Sequence, residues 1–273
     1  MRRVVLSLLL TLPFAAPLSA ATVDGLNIHS SSVGMGPTLV FVHGWTCDSS
    51  SWEQQVPVFA KMYRVITLDL PGHGKSQGPK DGKLSMDLFA RAVEAVRAEA
   101  KADKIVLIGH SMGAPVIRQY AHEFPNHVAG LVAVDGPLDM RGFPPPNFSA
   151  PPPVTGPEGL KTRENMIRGM FVPTTSPAIQ DHVLKMMLGA PEATAAGAMA
   201  AMFDPAIRWT ETIKAPAIEV VAGTGQVPDV QKTREVIPSF DAMQVAGTGH
   251  FLMLEKPAEF NRDLTAFLGK IMF

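Results

Sequence analysis

The chain has 273 residues, 46% of them apolar and 18% charged, with a formal net charge of −1. This length suffices for one large domain with an insertion. A near-neutral balance without a cluster of Lys and Arg excludes the electrostatic footprint of a nucleic-acid binder, and it argues against a polyanionic substrate.

Residues 1–21 read as an export segment. Arg2-Arg3 supplies the positive start, Val4 to Leu12 a short apolar run, and Ser19-Ala20-Ala21 the small residues for cleavage near Ala21/Thr22. The run is too short to span a bilayer comfortably, and no later segment approaches a span. The expectation is an exported mature chain, periplasmic or secreted and soluble, with a retained anchor as the alternative. Cys47 is the single cysteine, so no intramolecular disulfide can form. A small residue in a loop is the reading for Cys47, and a catalytic thiol is the sharper alternative.

Thr22–Ser32 predicts a small antiparallel edge pair. Beyond it, apolar runs at Thr38–His43, Arg64–Leu70, Lys104–Ile108, Val128–Asp135, Ala217–Ala222 and Ala242–Ala246 read as strands. Helical patterns lie between and after them at Ser85–Ala100, Ser111–Phe124 and Pro257–Leu268, with a weaker one at Ser49–Lys61. In the first of these, Phe89, Val93, Val96 and Ala100 share one face. The alternation predicts an α/β fold: a doubly wound, mostly parallel sheet covered on both faces, with ligands at the carboxyl ends of its strands. Core would comprise residues 22–136 and 206–273.

Residues 137–205 interrupt that alternation. A proline-dense stretch from Pro144 to Pro153 is too poor in donors for a strand. Three helix-like segments follow, at Pro157–Phe171, Ala178–Leu188 and Glu192–Phe203, carrying Met166, Met170, Met186, Met187, Met199 and Met202. An insertion here predicts a helical cap over the strand ends, and methionines suit a wall that adapts to varied apolar ligands. The plainer reading is that they pack the insertion onto the core.

Gly109-His110-Ser111-Met112-Gly113 stands between a strand pattern and a helical one, as G-x-S-x-G at a strand-to-helix turn. Such a turn presents the serine hydroxyl, and the two glycines remove side chains that would collide around it. Pro115 in the first helical turn costs no hydrogen bond. A serine hydroxyl needs an adjacent base. Gly247-Thr248-Gly249-His250-Phe251, after the last strand and before the final helix, offers the imidazole of His250. Charge that builds on a carbonyl oxygen needs donors already in place. The backbone N–H groups of Met112 and Trp45 are the candidates, and His43 is expected to brace the turn that carries Trp45.

Four segments occur in order: Phe41-Val42-His43-Gly44-Trp45, Asp69-Leu70-Pro71-Gly72-His73-Gly74-Lys75-Ser76, Gly109-His110-Ser111-Met112-Gly113 and Gly249-His250-Phe251-Leu252-Met253-Leu254-Glu255-Lys256-Pro257. Together they resemble the α/β-hydrolase fold superfamily across nearly all of the chain after residue 21 except the insertion. The resemblance implies Ser111 as nucleophile, His250 as base, and the N–H groups of Trp45 and Met112 as oxyanion hole. It also implies a structural role for Asp69 and His73, and a cap at the insertion.

The acid departs from the family pattern. Where most members carry an Asp after the penultimate strand, this chain has Gln226, and an amide cannot stabilise an imidazolium as a carboxylate does. Asp135, which closes the preceding strand, is the favoured replacement. Asp229 is the alternative, with an N-cap role open to it at the helix Val230–Val236, and a weak or absent acid is the third reading.

The expected activity is acyl transfer by a serine esterase on small to medium uncharged esters or lactones, with no metal or organic cofactor. Haloalkane dehalogenases and epoxide hydrolases of the superfamily use an aspartate nucleophile, which a serine argues against. An aminopeptidase-like amidase, a carbon–carbon bond hydrolase and a non-catalytic binding protein are the rival readings. Glu158, Glu164, Asp181 and Glu192 of the cap have the spacing of solvated helix faces rather than of an amine-binding site.

Overall fold

The computed structural model describes residues 21–142, 154–204, 207 and 210–271, together with 16–17. The expected export segment and the Pro144–Pro153 stretch fall mainly outside the described residues. A short β1 (Ala16–Pro17) precedes the hairpin β2 (Ala21–Val23) and β3 (Leu26–Ile28), which forms a separate two-stranded sheet. The next strand, β4 (Ser30–Val33), does not stay with that hairpin: it joins the main sheet, antiparallel to β6 (Arg64–Leu68). Between them run β5 (Thr38–Val42) and the four-residue helix α1 (Val56–Phe59).

Ser49–Lys61 is therefore no continuous helix. A 3₁₀ turn at Ser49–Trp52, capped by the Asp48 carboxylate on the Ser50 N–H, comes first. Pro57 then opens α1, where its missing N–H costs nothing.

The chain continues through α2 (Met86–Glu99), β7 (Ile105–His110), α3 (Gly113–Glu123) and β8 (Val128–Val134). The insertion contributes α4 (Gly156–Arg168), α5 (Pro177–Leu188) and α6 (Glu192–Met202). The sheet resumes with β9 (Ala217–Ala222), α7 (Val230–Arg234) and β10 (Phe240–Val245), and the chain closes with α8 (Leu252–Glu255) and α9 (Pro257–Leu268).

Eight strands lie in the order β1-β4-β6-β5-β7-β8-β9-β10, parallel from β6 to β10. The doubly wound, mostly parallel expectation holds. Every residue of β5, β7 and β9 is buried, as strands covered on both faces require. The amphipathic α2 begins at Ser85, whose hydroxyl accepts the Leu88 N–H, and it buries Phe89, Val93 and Val96 as their spacing predicted.

The insertion is fastened to the body at several points. Trp45 Nε1–H donates to the Ala195 carbonyl at 2.9 Å, and Thr194 Oγ1 donates to the Gly72 carbonyl at 2.7 Å. Met187 and Met199 are buried in the common core, and Met166, Met170, Met186 and Met202 pack against it.

Candidate active site

Ser111 follows β7 directly and has φ +53°, the left-handed region that a serine occupies only under constraint. The constraint is visible on both sides. Its N–H donates to the Val134 carbonyl at 2.9 Å, and its carbonyl accepts the Ala114 N–H at 2.9 Å. A side chain on Gly109 would run into the Gly113 carbonyl, and one on Gly113 would lie 2.5 Å from the Val42 carbonyl. The two glycines are the reason that the serine can be held there.

Neighbouring strands β7 and β8 pair His110 with Val134, so the next residue on each, Ser111 and Asp135, leaves the sheet side by side. Asp135 also takes a positive φ, +46°. It is tied to β9 twice, by its N–H to the Val220 carbonyl at 2.9 Å and by Oδ1, which accepts the Ala222 N–H at 2.8 Å. Its Oδ2 lies 2.6 Å from His250 Nδ1. Burial pushes this carboxyl up, but the hydrogen bond and charge of His250, with the Ala222 N–H, outweigh it and hold the pKa below the ordinary value. An imidazole that donates from Nδ1 to an ionised carboxylate keeps the lone pair on Nε2 to accept a proton.

The loop that carries His250 is held by its backbone. The His250 N–H donates to the Met170 carbonyl of the insertion at 3.0 Å, and the His250 carbonyl accepts from His110 Nε2 at 2.9 Å. Glu255 Oε2 accepts the Gly249 N–H at 2.8 Å. Thr248 Oγ1 accepts the Gly223 N–H at 3.0 Å and donates to the Val245 carbonyl.

Asp229 is elsewhere engaged. Its Oδ1 accepts the Lys232 N–H at 3.1 Å and caps α7. The structure brings Asp135 to His250 and leaves Asp229 in the capping role.

The turn after β5 packs against the serine: a β-carbon on Gly44 would lie 3.1 Å from Ser111 Cβ. Among the described residues, neither the Trp45 N–H nor the Met112 N–H has a hydrogen-bond partner. Both residues are buried, and buried backbone donors are nearly always paired, so these two stand out. His43 is wholly buried, donates from Nδ1 to the Gly44 carbonyl at 2.8 Å and accepts the Leu70 N–H on Nε2 at 2.9 Å. It braces the turn, and burial lowers its pKa so that it stays neutral.

Asp69 accepts the N–H groups of Ser49 and Lys75, both at 2.8 Å, while burial pushes His73 down to about 3. Both shape their loop. The Cys47 thiol is buried and pushed up to about 12 by that burial, which leaves it an inert thiol. A cavity of about 1380 Å³ lies between α5, the Ser49–Trp52 turn and α1, but neither Ser111, His250, Trp45 nor Met112 lines it. Among the described residues, no group of three His, Cys, Asp or Glu could hold a metal ion, and no helix is long and apolar enough to cross a membrane.

Sequence reasoning missed the Met170 and His110 contacts. Both are made to main-chain atoms of His250, His110 from 140 residues away, and a bond to a backbone atom leaves no trace in the identity of the residue that carries it.

The family described as alpha/beta hydrolase fold matches residues 37–160, from β5 through Ser111 into the insertion. The chain has the α/β-hydrolase fold. Among curated relatives, a candidate esterase/lipase of Haemophilus influenzae is 26% identical over 246 residues, 86% of this chain and 84% of that protein. The pimeloyl-[acyl-carrier protein] methyl ester esterase of Aeromonas hydrophila is 33% identical over 109 residues, but these are only 40% of this chain and 41% of that enzyme. The enol-lactonase of Burkholderia xenovorans LB400 superimposes with a TM-score of 0.80 at 20% identity, covering 92% of this α/β-hydrolase-fold chain and all of the other (100%). Esterase-named relatives support a general hydrolase function.

Proposed function

We propose that this chain is a serine esterase that cleaves small to medium apolar carboxylic esters or lactones through an acyl-enzyme intermediate. The observation that carries the reading is the 2.6 Å contact of His250 Nδ1 with Asp135 beside a serine at φ +53°. Ser111 Oγ attacks the carbonyl carbon while His250 Nε2 takes its proton. The Trp45 and Met112 N–H groups receive the oxyanion, and Asp135 stabilises the imidazolium. As the tetrahedral centre collapses, the ester C–O bond breaks and the leaving alkoxide takes the proton from His250. Water, activated by the same imidazole, then releases the acyl group as a carboxylic acid.

The methionine-rich insertion supports an uncharged, apolar substrate, since flexible thioethers adapt to varied shapes. The candidate esterase/lipase, the methyl ester esterase and the enol-lactonase lend the same ester or lactone chemistry by analogy. Residues 137–205 act as the cap. Export, with cleavage near Ala21/Thr22, belongs to the same proposal and is checked by N-terminal sequencing of protein from the periplasm and the medium.

The functional test is a chain-length series of p-nitrophenyl esters together with a fluorophosphonate probe. Wild-type labelling that Ser111→Ala abolishes is the expected result, with turnover highest on short or medium acyl chains. Labelling that survives Ser111→Ala, or turnover of aminoacyl-anilides in place of esters, overturns it.

A further inference from the structure

His110, the residue before the serine, takes no part in the proposed acyl transfer. Its side chain is fully buried, with one nitrogen engaged and one not. Nε2 lies 2.9 Å from the His250 carbonyl, and Nδ1 has no partner among the described residues. A buried ring nitrogen without a hydrogen bond costs free energy, and a phenylalanine would fill the same space without that cost. The surroundings are apolar and aromatic: the Phe251 ring centre is 5.0 Å away and the Trp52 ring meets His110 edge-on at 6.4 Å. The His250 ring itself stacks at 4.7 Å, tilted by 48°.

We propose that His110 is a positioning residue, whose Nε2–H grips the His250 carbonyl and sets the imidazole against Ser111. This rests on the serine-esterase reading. Adjacent residues hold the grip and the nucleophile, so the contact ties the His250 peptide to the turn that carries Ser111. The opposite side of the same residue is fixed by the cap, through the His250 N–H on the Met170 carbonyl at 3.0 Å. Asp135 fixes the ring's Nδ1 at 2.6 Å. Three hydrogen bonds from three parts of the chain thus define the position and tilt of one imidazole. Such supporting contacts govern how often the reacting atoms meet at a productive distance. Burial pushes the His110 pKa down to about 3, so it remains a neutral donor and does not compete with His250 for the Asp135 charge.

The test compares three variants in the full-length folded protein. His110→Phe keeps the ring and removes the donor. His110→Gln places an amide N–H near the position of Nε2, and His110→Asn keeps the polarity but falls short of the carbonyl. His110→Phe and His110→Asn are expected to lose about 10- to 100-fold in kcat with KM nearly unchanged, and His110→Gln to recover most of it. A second readout needs no turnover: the far-downfield proton resonance of the His250–Asp135 hydrogen bond, assigned by its loss in Asp135→Asn. It should persist in wild type and His110→Gln, and shift or broaden in His110→Phe and His110→Asn. Equal kcat across the variants with an unmoved resonance, or His110→Gln as impaired as His110→Phe, overturns the proposal. Absent ester turnover with the resonance contrast intact would overturn the esterase reading alone.

Discussion

The loop after β8 and the loop after β9 each offer an aspartate near the carboxyl edge of the sheet, and the two side chains meet opposite fates. Asp135 directly follows its strand at φ +46°, with its carboxylate divided between Ala222 of β9 and His250. Asp229 lies seven positions beyond the end of β9 at Ala222, exposed, and spends its carboxylate on the first turn of α7. The lesson is one of direction. Asp135, in the left-handed region at its strand end, has its side chain on Ala222 and His250, whereas the capping Asp229 turns its own into a helix terminus. Even the β9 loop serves Asp135: a β-carbon on Gly225 would lie 2.6 Å from Asp135 Oδ1, so the glycine leaves that oxygen its room.

That contrast is broken most directly by Asp135→Asn, which should lower kcat on p-nitrophenyl esters by about 10³- to 10⁴-fold with unchanged circular dichroism. A variant retaining most of its turnover would remove Asp135 from the chemistry. Gly225→Ala should follow, because the added methyl also lies 2.6 Å from Val221 Cγ1 and presses on a carboxylate held from two sides. Roughly tenfold in kcat and about 1–3 kcal/mol of stability, read from urea melts, are the expected losses.

Glu219 probes the charge of the same corner. It sits on β9 opposite Ala133 and Ala242, and burial, with Asp135 and Asp139 nearby, pushes its carboxyl up to about 8 from 4.5. A raised carboxyl pKa means the folded state holds the proton more tightly, so stability falls as pH rises from about 4.5 to about 8. Glu219→Gln cannot titrate, so its stability relative to wild type should climb through that window. The gain should reach on the order of 1 kcal/mol or more at its upper end. A pH-independent difference between the two melts would contradict it. The smallest effect is reserved for the other loop: Asp229→Ala should cost about 1 kcal/mol through the lost cap and leave kcat within about twofold.

Much of this was legible in the order of residues. Strand and helix periodicity predicted the sheet and the positions of β5 to β10 to within a few residues. Gly109 and Gly113 announced the turn at Ser111 because a backbone squeezed against its neighbours tolerates no side chain there. The break of Ser49–Lys61 into two short pieces was less legible, since its apolar spacing is helical while Asp48 and Pro57 start separate turns. The departure of β4 from its hairpin to the main sheet was hidden too, because Ser30–Val33 lacks the apolar run of a buried strand.

What the sequence by itself determined, then, is backbone conformation: apolar periodicity, glycine and proline act over a few residues, and their effect is written where they stand. The tertiary structure alone decided which acid meets His250, and that the His250 peptide is gripped by His110 on one side and Met170 on the other. Those outcomes depend on the register of β7, β8 and β9 and on main-chain atoms far apart in the chain, and every residue type except proline offers the same main-chain donor and acceptor.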